Sequence, residues 1–160
     1  MTNKYQEIYS QFRDRVVGEL SKKFGEKVQA FEDNTGYSIL VAPEVLVEVS
    51  AELRDNPDYG FDYLTDLTAV DYPENFTVVY HLASITKKPR RLNLKVQLTK
   101  DNPRISTVST VWNAANVQER ECFDLLGVIF EGHPKLERIL LPEDFVGHPL
   151  RKDFKMEAAN

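Results

Sequence analysis

Apolar residues spaced three or four positions apart predict amphipathic helices in two early segments of the chain. The first helix covers residues 4–24 and stops at Gly25. Its apolar positions are Tyr5, Ile8, Phe12, Val16, Leu20 and Phe24. The second helix begins at Pro43, whose missing N–H costs nothing in a first helical turn, and runs to about Asp55. Its apolar face is formed by Val45, Val49 and Leu53.

Short runs rich in β-branched and other apolar residues predict five strands. These runs are Lys27–Phe31, Tyr37–Val41, Phe61–Val70, Phe76–Leu82 and Arg91–Leu98. The predicted helices are bunched between groups of strands and do not alternate strictly with them. That order is typical of the α+β class, so we predict a two-layer domain with helices packed on one face of a mixed β-sheet.

A third helix, predicted over Trp112–Leu126, carries a carboxylate within its apolar stripe. Asn113 is a candidate N-cap and Gly127 a candidate stop. Glu119 falls near the middle of the stripe, where a carboxylate is costly unless it is paired. A general acid or base with a shifted pKa is one interpretation. The favoured one is a structural ion pair with Arg138 or Arg151. We expect Arg120 and Asp124, by contrast, to form a surface pair.

The segment after this helix combines three prolines with many apolar residues but little periodicity. The prolines are Pro134, Pro142 and Pro149. A disordered segment lacks this much apolar surface, so either the domain or another protein must cover it. We therefore divide the chain into a single α+β domain over residues 1–126 and an extended C-terminal arm over residues 127–160 that docks on partner subunits.

The charge balance and the single cysteine exclude several classes of protein. The chain has 160 residues with 25 acidic against 20 basic side chains, a net charge of -5 that disfavours a nucleic-acid binder. The basic run Lys87–Arg91 could be a nucleic-acid patch or a localisation signal, but the acidic balance of the chain favours a solvated turn with positive edge residues. Cys122 alone cannot form an intramolecular disulfide. The N-terminus lacks the apolar stretch of a signal peptide, and no apolar run approaches the ~20 residues that span a bilayer.

The candidate catalytic and metal-binding groups do not assemble into a known pattern. Cys122 with His133 or His148 lacks the local context of a nucleophile and its base, and a buried thiol is the favoured interpretation. Glu131 with the two histidines matches no strong ligand spacing. The glycine-rich nucleotide fingerprints are absent from the sequence. This lack of a self-contained active site favours a scaffold or interaction role.

The stretch Glu119–Phe154 resembles the signature of the C subunit, or 30-kDa-type subunit, of respiratory NADH:quinone oxidoreductase, bacterial complex I. The matching positions are Glu119-Arg120-Glu121, Asp124, Gly127, Phe130, Gly132-His133-Pro134, Arg138-Ile139-Leu140, Pro142-Glu143-Asp144 and Gly147-His148-Pro149-Leu150-Arg151-Lys152-Asp153. Upstream, Phe61–Leu64, Asp71-Tyr72 and Tyr80–Leu82 are also similar to the family.

The resemblance implies a structural subunit of the complex's peripheral arm that holds no redox centre and has no catalytic residues of its own. NADH, FMN, iron–sulfur clusters and quinone would belong to the assembly, and this chain would bind none of them. Its C-terminal arm would pack on the hydrogenase-like subunit that helps to form the quinone site, near the subunit that bears an iron–sulfur cluster. The location implied is the cytoplasmic side of the inner membrane, reached through the complex.

The residues expected at partner interfaces, or in structural roles beside them, come from this signature. They are Glu119, Arg120, Glu121, Asp124, Gly132, His133, Pro134, Arg138, His148, Pro149, Arg151, Lys152 and Asp153. The alternative function is the equivalent subunit of a membrane-bound hydrogenase or of a plastoquinone-type or coenzyme-F420-dependent dehydrogenase. A free-standing enzyme using Cys122 or Glu119 is the least favoured hypothesis.

Overall fold

The computed structural model describes residues 4–87 and 90–156. Over this part of the chain there are three α-helices: α1 (Lys4–Phe24), α2 (Leu46–Asp55) and α3 (Ala115–Leu126). The seven strands are β1 (Val28–Phe31), β2 (Ser38–Val41), β3 (Tyr63–Asp71), β4 (Asn75–Ala83), β5 (Arg91–Thr99), β6 (Arg104–Ser106) and β7 (Ile129–Glu131). None of the described helices is long and apolar enough to cross a membrane.

The main sheet has five strands in the order β1-β2-β5-β4-β3. Only β2 and β5 pair in parallel, and the other neighbours are antiparallel, so the sheet is mixed. The short strands β6 and β7 form a separate parallel pair. The predicted α+β class is confirmed.

One face of the main sheet supplies the core. Side chains alternate between the two faces of a strand, and on β4 the inward positions Phe76, Val78, Tyr80 and Leu82 are at most 2% exposed. They belong to the same buried cluster as apolar side chains of all three helices. The opposite face carries polar groups such as Lys95, which pairs with Asp33 at 2.7 Å.

Three local features differ from the predicted elements. The residues Trp112–Asn113 precede α3, and Asn113 does not cap it, because the residue at the N-cap is Ala114. The indole N–H of Trp112 donates instead to the Phe61 carbonyl at 3.0 Å. The strands β6 and β7 were not predicted, since three residues are too few to show a period of two. The second predicted helix begins as a 3₁₀ turn over Pro43–Val45 before α2.

The connection between β4 and β5 is more than a solvated basic turn. Lys88 and Pro89 lie outside the described residues. Arg90 donates to the carbonyl oxygens of Asp58 and Tyr59, and its guanidinium lies 4.8 Å from the centre of the Phe12 ring. This arginine therefore joins the turn to the end of α2 and to α1.

Candidate functional site at the junction of α3 and the C-terminal arm

The last turn of α3 exposes backbone carbonyls that the C-terminal arm satisfies. The carbonyls at a helix end have no partner within the helix. Gly127, at a φ of +73°, ends the helix and donates its N–H to the Phe123 carbonyl. The arm supplies the other donors. Arg138 Nη1 and His148 Nδ1 both donate to Asp124 O. Leu150 N donates to Leu125 O, and Arg151 Nε donates to Leu126 O. The arm is thus the C-terminal cap of α3.

The carboxylate of Asp124 organises the first part of this cap. It is fully buried, and its Oδ2 accepts the consecutive backbone N–H groups of Ile139, Leu140 and Leu141 at 3.0, 2.7 and 2.9 Å. Its Oδ1 accepts from Arg138 Nη1 at 2.6 Å. Burial acts to raise the pKa of Asp124, but these hydrogen bonds outweigh it and lower the pKa to about 2.

Arg138 extends the contact further along the arm. Its Nη2 donates to the carbonyls of Phe145 and Gly147 at 3.0 and 2.9 Å. The prediction of an ion pair between Arg138 and Glu119 is therefore wrong, since the Arg138 guanidinium binds Asp124 instead. The expected surface pair of Arg120 with Asp124 is wrong as well. Arg120 donates to the carbonyls of Glu137 and Arg138.

Glu119 lies on the opposite side of α3, in the core and fully buried. It accepts hydrogen bonds from the Thr107 hydroxyl and from the backbone N–H of Val108 at 2.8 Å. Arg151, its other expected partner, binds the Leu126 carbonyl instead. Burial raises the pKa of Glu119 to about 7, against the lowering effect of the two hydrogen bonds. The carboxyl therefore titrates near neutral pH.

His133 approaches Glu119 without forming an ion pair. Its Nε2 lies 3.9 Å from the Glu119 carboxyl but donates to the Asn116 carbonyl at 2.9 Å. Its Nδ1 accepts the backbone N–H of Lys135 at 3.0 Å. A ring that accepts at Nδ1 is neutral, so the 3.9 Å approach is a contact between a neutral imidazole and the carboxyl.

Cys122 is buried beside the carbonyl of Leu67 on β3. Burial raises the pKa of its thiol to about 12, with the carboxylates of Glu121, Glu119 and Asp66 adding to the effect. A thiol in this environment is a poor nucleophile.

Among the described residues, no three His, Cys, Asp or Glu side chains lie close enough together to hold a metal ion.

The remaining signature residues lie around the junction. Lys152 donates its backbone N–H to Asp71 at the end of β3, and Asp71 also binds Lys100. Gly132 has a positive φ of +79° beside Thr107. Glu121, Pro134 and Asp153 are exposed, and Pro149 is half-buried. Their interface roles stay a prediction.

Asp71, Thr107 and the backbone carbonyl of Asn116 also form hydrogen bonds here, and none of them was predicted as a binding group. The lone side chains of Asp71 and Thr107 carry no local pattern that would mark them, and a backbone carbonyl is common to every residue type. The proposed boundary after residue 126 also stays a prediction. The first residues beyond it, including Val128 and Phe130, are buried in the domain core, and β7 pairs with β6.

Replacing Gly127 by Ala should weaken the junction. An added Cβ would lie 2.6 Å from the His148 ring and 2.7 Å from Arg151 Nη2, at a φ of +73° that only glycine adopts without cost. We expect a loss of about 1–3 kcal/mol in the free energy of unfolding, measured by urea denaturation. Gly18→Ala is the control, because nothing lies within 4 Å of its added Cβ. Equal stability of the two variants would contradict the proposed cap.

The arm leaves several large apolar side chains exposed although its backbone is held in place. Val146 is 87% exposed, Met156 84%, Leu140 60% and Leu150 58%. Clusters of exposed apolar side chains are typical of surfaces that bind other proteins. Leu140, Val146 and Leu150 thus stand on a segment whose backbone is held in place by hydrogen bonds.

Comparison with known proteins finds a matching family and relatives of this chain. Residues 39–160 match the family described as respiratory-chain NADH dehydrogenase, 30 kDa subunit. The NADH-quinone oxidoreductase C subunit of Moorella thermoacetica is 44% identical over 90% of this chain and 96% of its own length. The protein of the same name from Chlorobium phaeobacteroides is 39% identical over 85% of this chain and 84% of its own.

Two solved structures share the fold. A trypsin-resistant fragment of Nqo5 superposes with a TM-score of 0.61 at 31% identity, covering 77% of this chain and 98% of the fragment. A chain of the membrane-bound sulfane sulfur reductase, an archaeal respiratory membrane complex, superposes with a TM-score of 0.73 at 24% identity. The match covers 89% of this chain and 85% of the reductase chain. The second likeness concerns the fold alone.

Proposed function

Because the chain belongs to the family of the respiratory-chain NADH dehydrogenase 30 kDa subunit, we propose that it is a non-redox structural subunit in the peripheral arm of NADH:quinone oxidoreductase. In this role its C-terminal arm packs on the hydrogenase-like subunit of the quinone site, close to the cluster-bearing subunit. The chain then holds these two partners in a fixed relative position. Electron transfer and proton translocation belong to the assembly, which this chain joins at the cytoplasmic side of the membrane.

Two features of the arm together support the proposal. Hydrogen bonds hold its backbone in place, and several of its apolar side chains are exposed. A docking segment that is ordered before binding loses less conformational entropy when it binds. Asp124 and Arg138 supply that order through the hydrogen bonds described above. The exposed side chains of Leu140, Val146 and Leu150 supply apolar surface for a partner to bury.

The chemistry of the chain's own residues agrees with a role without redox chemistry. An iron–sulfur cluster needs about four ligands, mostly cysteine, and the sequence holds one. Cys122 is itself buried. Glu119 and His133, the ionisable pair at the junction, are enclosed in the core and hydrogen-bonded to the chain's own groups. His133 thereby joins the arm to α3, while Glu119 binds Thr107 and Val108 in the core.

Two apolar-to-polar substitutions in the arm test the proposal. Val146→Ser and Leu150→Ser each remove a largely exposed apolar side chain, since Val146 is 87% and Leu150 58% exposed. Combined in a tagged chain, they should lower incorporation into the membrane complex about tenfold or more. Ile8→Ser is the control, because Ile8 is 53% exposed on α1, outside the arm. Incorporation is measured on a native gel of mildly solubilised membranes, stained for NADH-driven dye reduction.

The same gel separates the proposal from its alternatives. Co-migration of the tag with an NADH-active band that contains a hydrogenase-like subunit supports it. A large band with that partner but no NADH-driven reduction would assign the chain to a hydrogenase or to a dehydrogenase with another electron donor. A tag found only in small soluble species would contradict the assembly role altogether.

A further inference from the structure

An open groove of about 560 Å³ runs along the surface of the C-terminal arm. Its walls include Phe145, Val146, Arg151, Phe154, Lys155 and Met156. We call this feature the arm groove. It includes Phe145 and Gly147, whose carbonyls accept hydrogen bonds from Arg138.

The floor of the arm groove is apolar and closely packed. Phe145 and Phe154 stack with ring centres 6.0 Å apart. Gly147 allows this packing, because a Cβ at its position would lie 3.0 Å from the Phe154 ring. The exposed side chains of Val146 and Met156 stand beside the ring pair. An apolar side chain of another protein could pack against these exposed apolar groups.

The charges that face the groove are mainly positive. Arg151 is half-buried and fixed, with Nε bound to the Leu126 carbonyl and its guanidinium 5.2 Å from the centre of the Phe76 ring. Within the described part of the chain, its two terminal nitrogens donate no hydrogen bond. Lys155 adds a second cation without an ion-pair partner among the described residues. Asp153 supplies an opposing carboxylate.

This arrangement is complementary to a carboxylate beside an apolar group. Arg151 Nη2 packs beside Gly127, and terminal N–H groups that form no hydrogen bond within the described chain can still donate to a carboxylate. The net charge of the whole chain is -5, so a locally cationic groove differs from the rest of the molecule. Local charge of this kind selects partners and sets their orientation.

We propose that the arm groove binds a segment of the partner subunit in which an Asp or Glu lies next to a large apolar residue. The apolar side chain packs on the Phe145–Phe154 pair, and the carboxylate accepts hydrogen bonds from Arg151. Lys155 pairs with the same carboxylate or with a second one on the rim. The proposal rests on the proposed function, because it names the chemistry of the partner at the docking arm.

Charge reversal at the rim tests the proposal in the intact complex. Lys155→Glu should lower incorporation of the tagged chain about tenfold, and raising the salt concentration should reduce the difference from the natural chain. Lys22→Glu is the control, since it makes the same charge change at an exposed position of α1.

A photo-reactive phenylalanine analogue in place of Met156 identifies the segment that the groove binds. The cross-linked partner peptide should contain Asp or Glu within a few residues of a large apolar residue. Replacing that acid by Lys should weaken the complex, and Lys155→Glu in the same complex should restore it.

Normal incorporation of the Lys155→Glu chain, or a cross-linked peptide without an acid, would overturn the groove proposal while the structural role stands. If even the natural chain enters no large complex, the proposed function fails first.

Discussion

The Asp124→Asn variant should lose about 3–5 kcal/mol of stability and release the C-terminal arm from α3. In the natural chain one buried carboxylate accepts three backbone N–H groups and the Arg138 guanidinium. An amide of the same shape carries no charge and turns an N–H group toward some of these donors. Arg138, which is largely buried, then has no counter-ion.

Urea denaturation and limited trypsin digestion together measure both effects. Lys135 and Arg138 lie in the arm, so release of the arm should make the peptide bonds that follow them accessible to trypsin. Asp144→Asn is the matched control, because Asp144 is an exposed aspartate of the same arm. Unchanged digestion of the Asp124→Asn chain would contradict the central role given to this carboxylate.

Acid should reproduce the effect of the Asp124 substitution. The pKa of Asp124 is lowered from its ordinary value of 3.8 to about 2 in the folded chain. A carboxyl with a lowered folded-state pKa stabilises the fold fully above about pH 4, and this contribution is lost as the pH falls through about 2. The arm is therefore expected to become sensitive to an acid-active protease such as pepsin over that interval, and the Asp124→Asn chain to be sensitive already at about pH 4.

The second large effect is expected at Glu119, where raising the pH should destabilise the natural chain by up to about 3 kcal/mol. The folded-state pKa of Glu119 is raised from 4.5 to about 7 by burial. A carboxyl with a raised pKa stabilises the fold fully below its unfolded value, and that contribution is lost as the pH rises from about 4.5 through 7. Above about pH 7 the core holds a charge without a cation beside it.

Glu119→Gln should remove this pH dependence and make the chain more stable than the natural one at pH 8. The amide oxygen can accept the Val108 N–H, and the amide nitrogen can donate to the Thr107 hydroxyl. Thr107 then directs its own proton to Ser109, 2.8 Å away. The hydrogen-bond network thus accommodates a neutral group, whether it is the protonated acid or the amide.

Urea denaturation at pH 5.5 and pH 8 decides the question. The natural chain should lose stability between the two values, while the Glu119→Gln chain should not. Glu121→Gln is the control, because Glu121 is exposed on the same helix two residues away and should leave the pH dependence intact. Parallel pH profiles for the natural and Glu119→Gln chains would show that Glu119 does not titrate in this range.

The parts of the fold with regular periodicity were predicted well from the sequence. The segment with apolar spacing of three and four became α1 over Lys4–Phe24. The alternating run Arg91–Leu98 became β5, with its apolar residues facing the core. Gly127 ends α3 as predicted. These features depend on which side of an element is apolar, and a period in the sequence reports that directly.

The class of fold, the elements of the main sheet and, through the C-terminal signature, the family all follow from the amino-acid sequence. Which charged groups meet follows only from the path of the chain in three dimensions. Glu119 and Asp124 are five residues apart on α3, so they point about 140° apart around its axis. The helical period marks Glu119 as inward and Asp124 as facing solvent. Asp124 is nonetheless buried, because a segment without any period folds back over that side of the helix. Contacts made by an irregular segment depend on its path through space, and no local pattern in the sequence encodes that path.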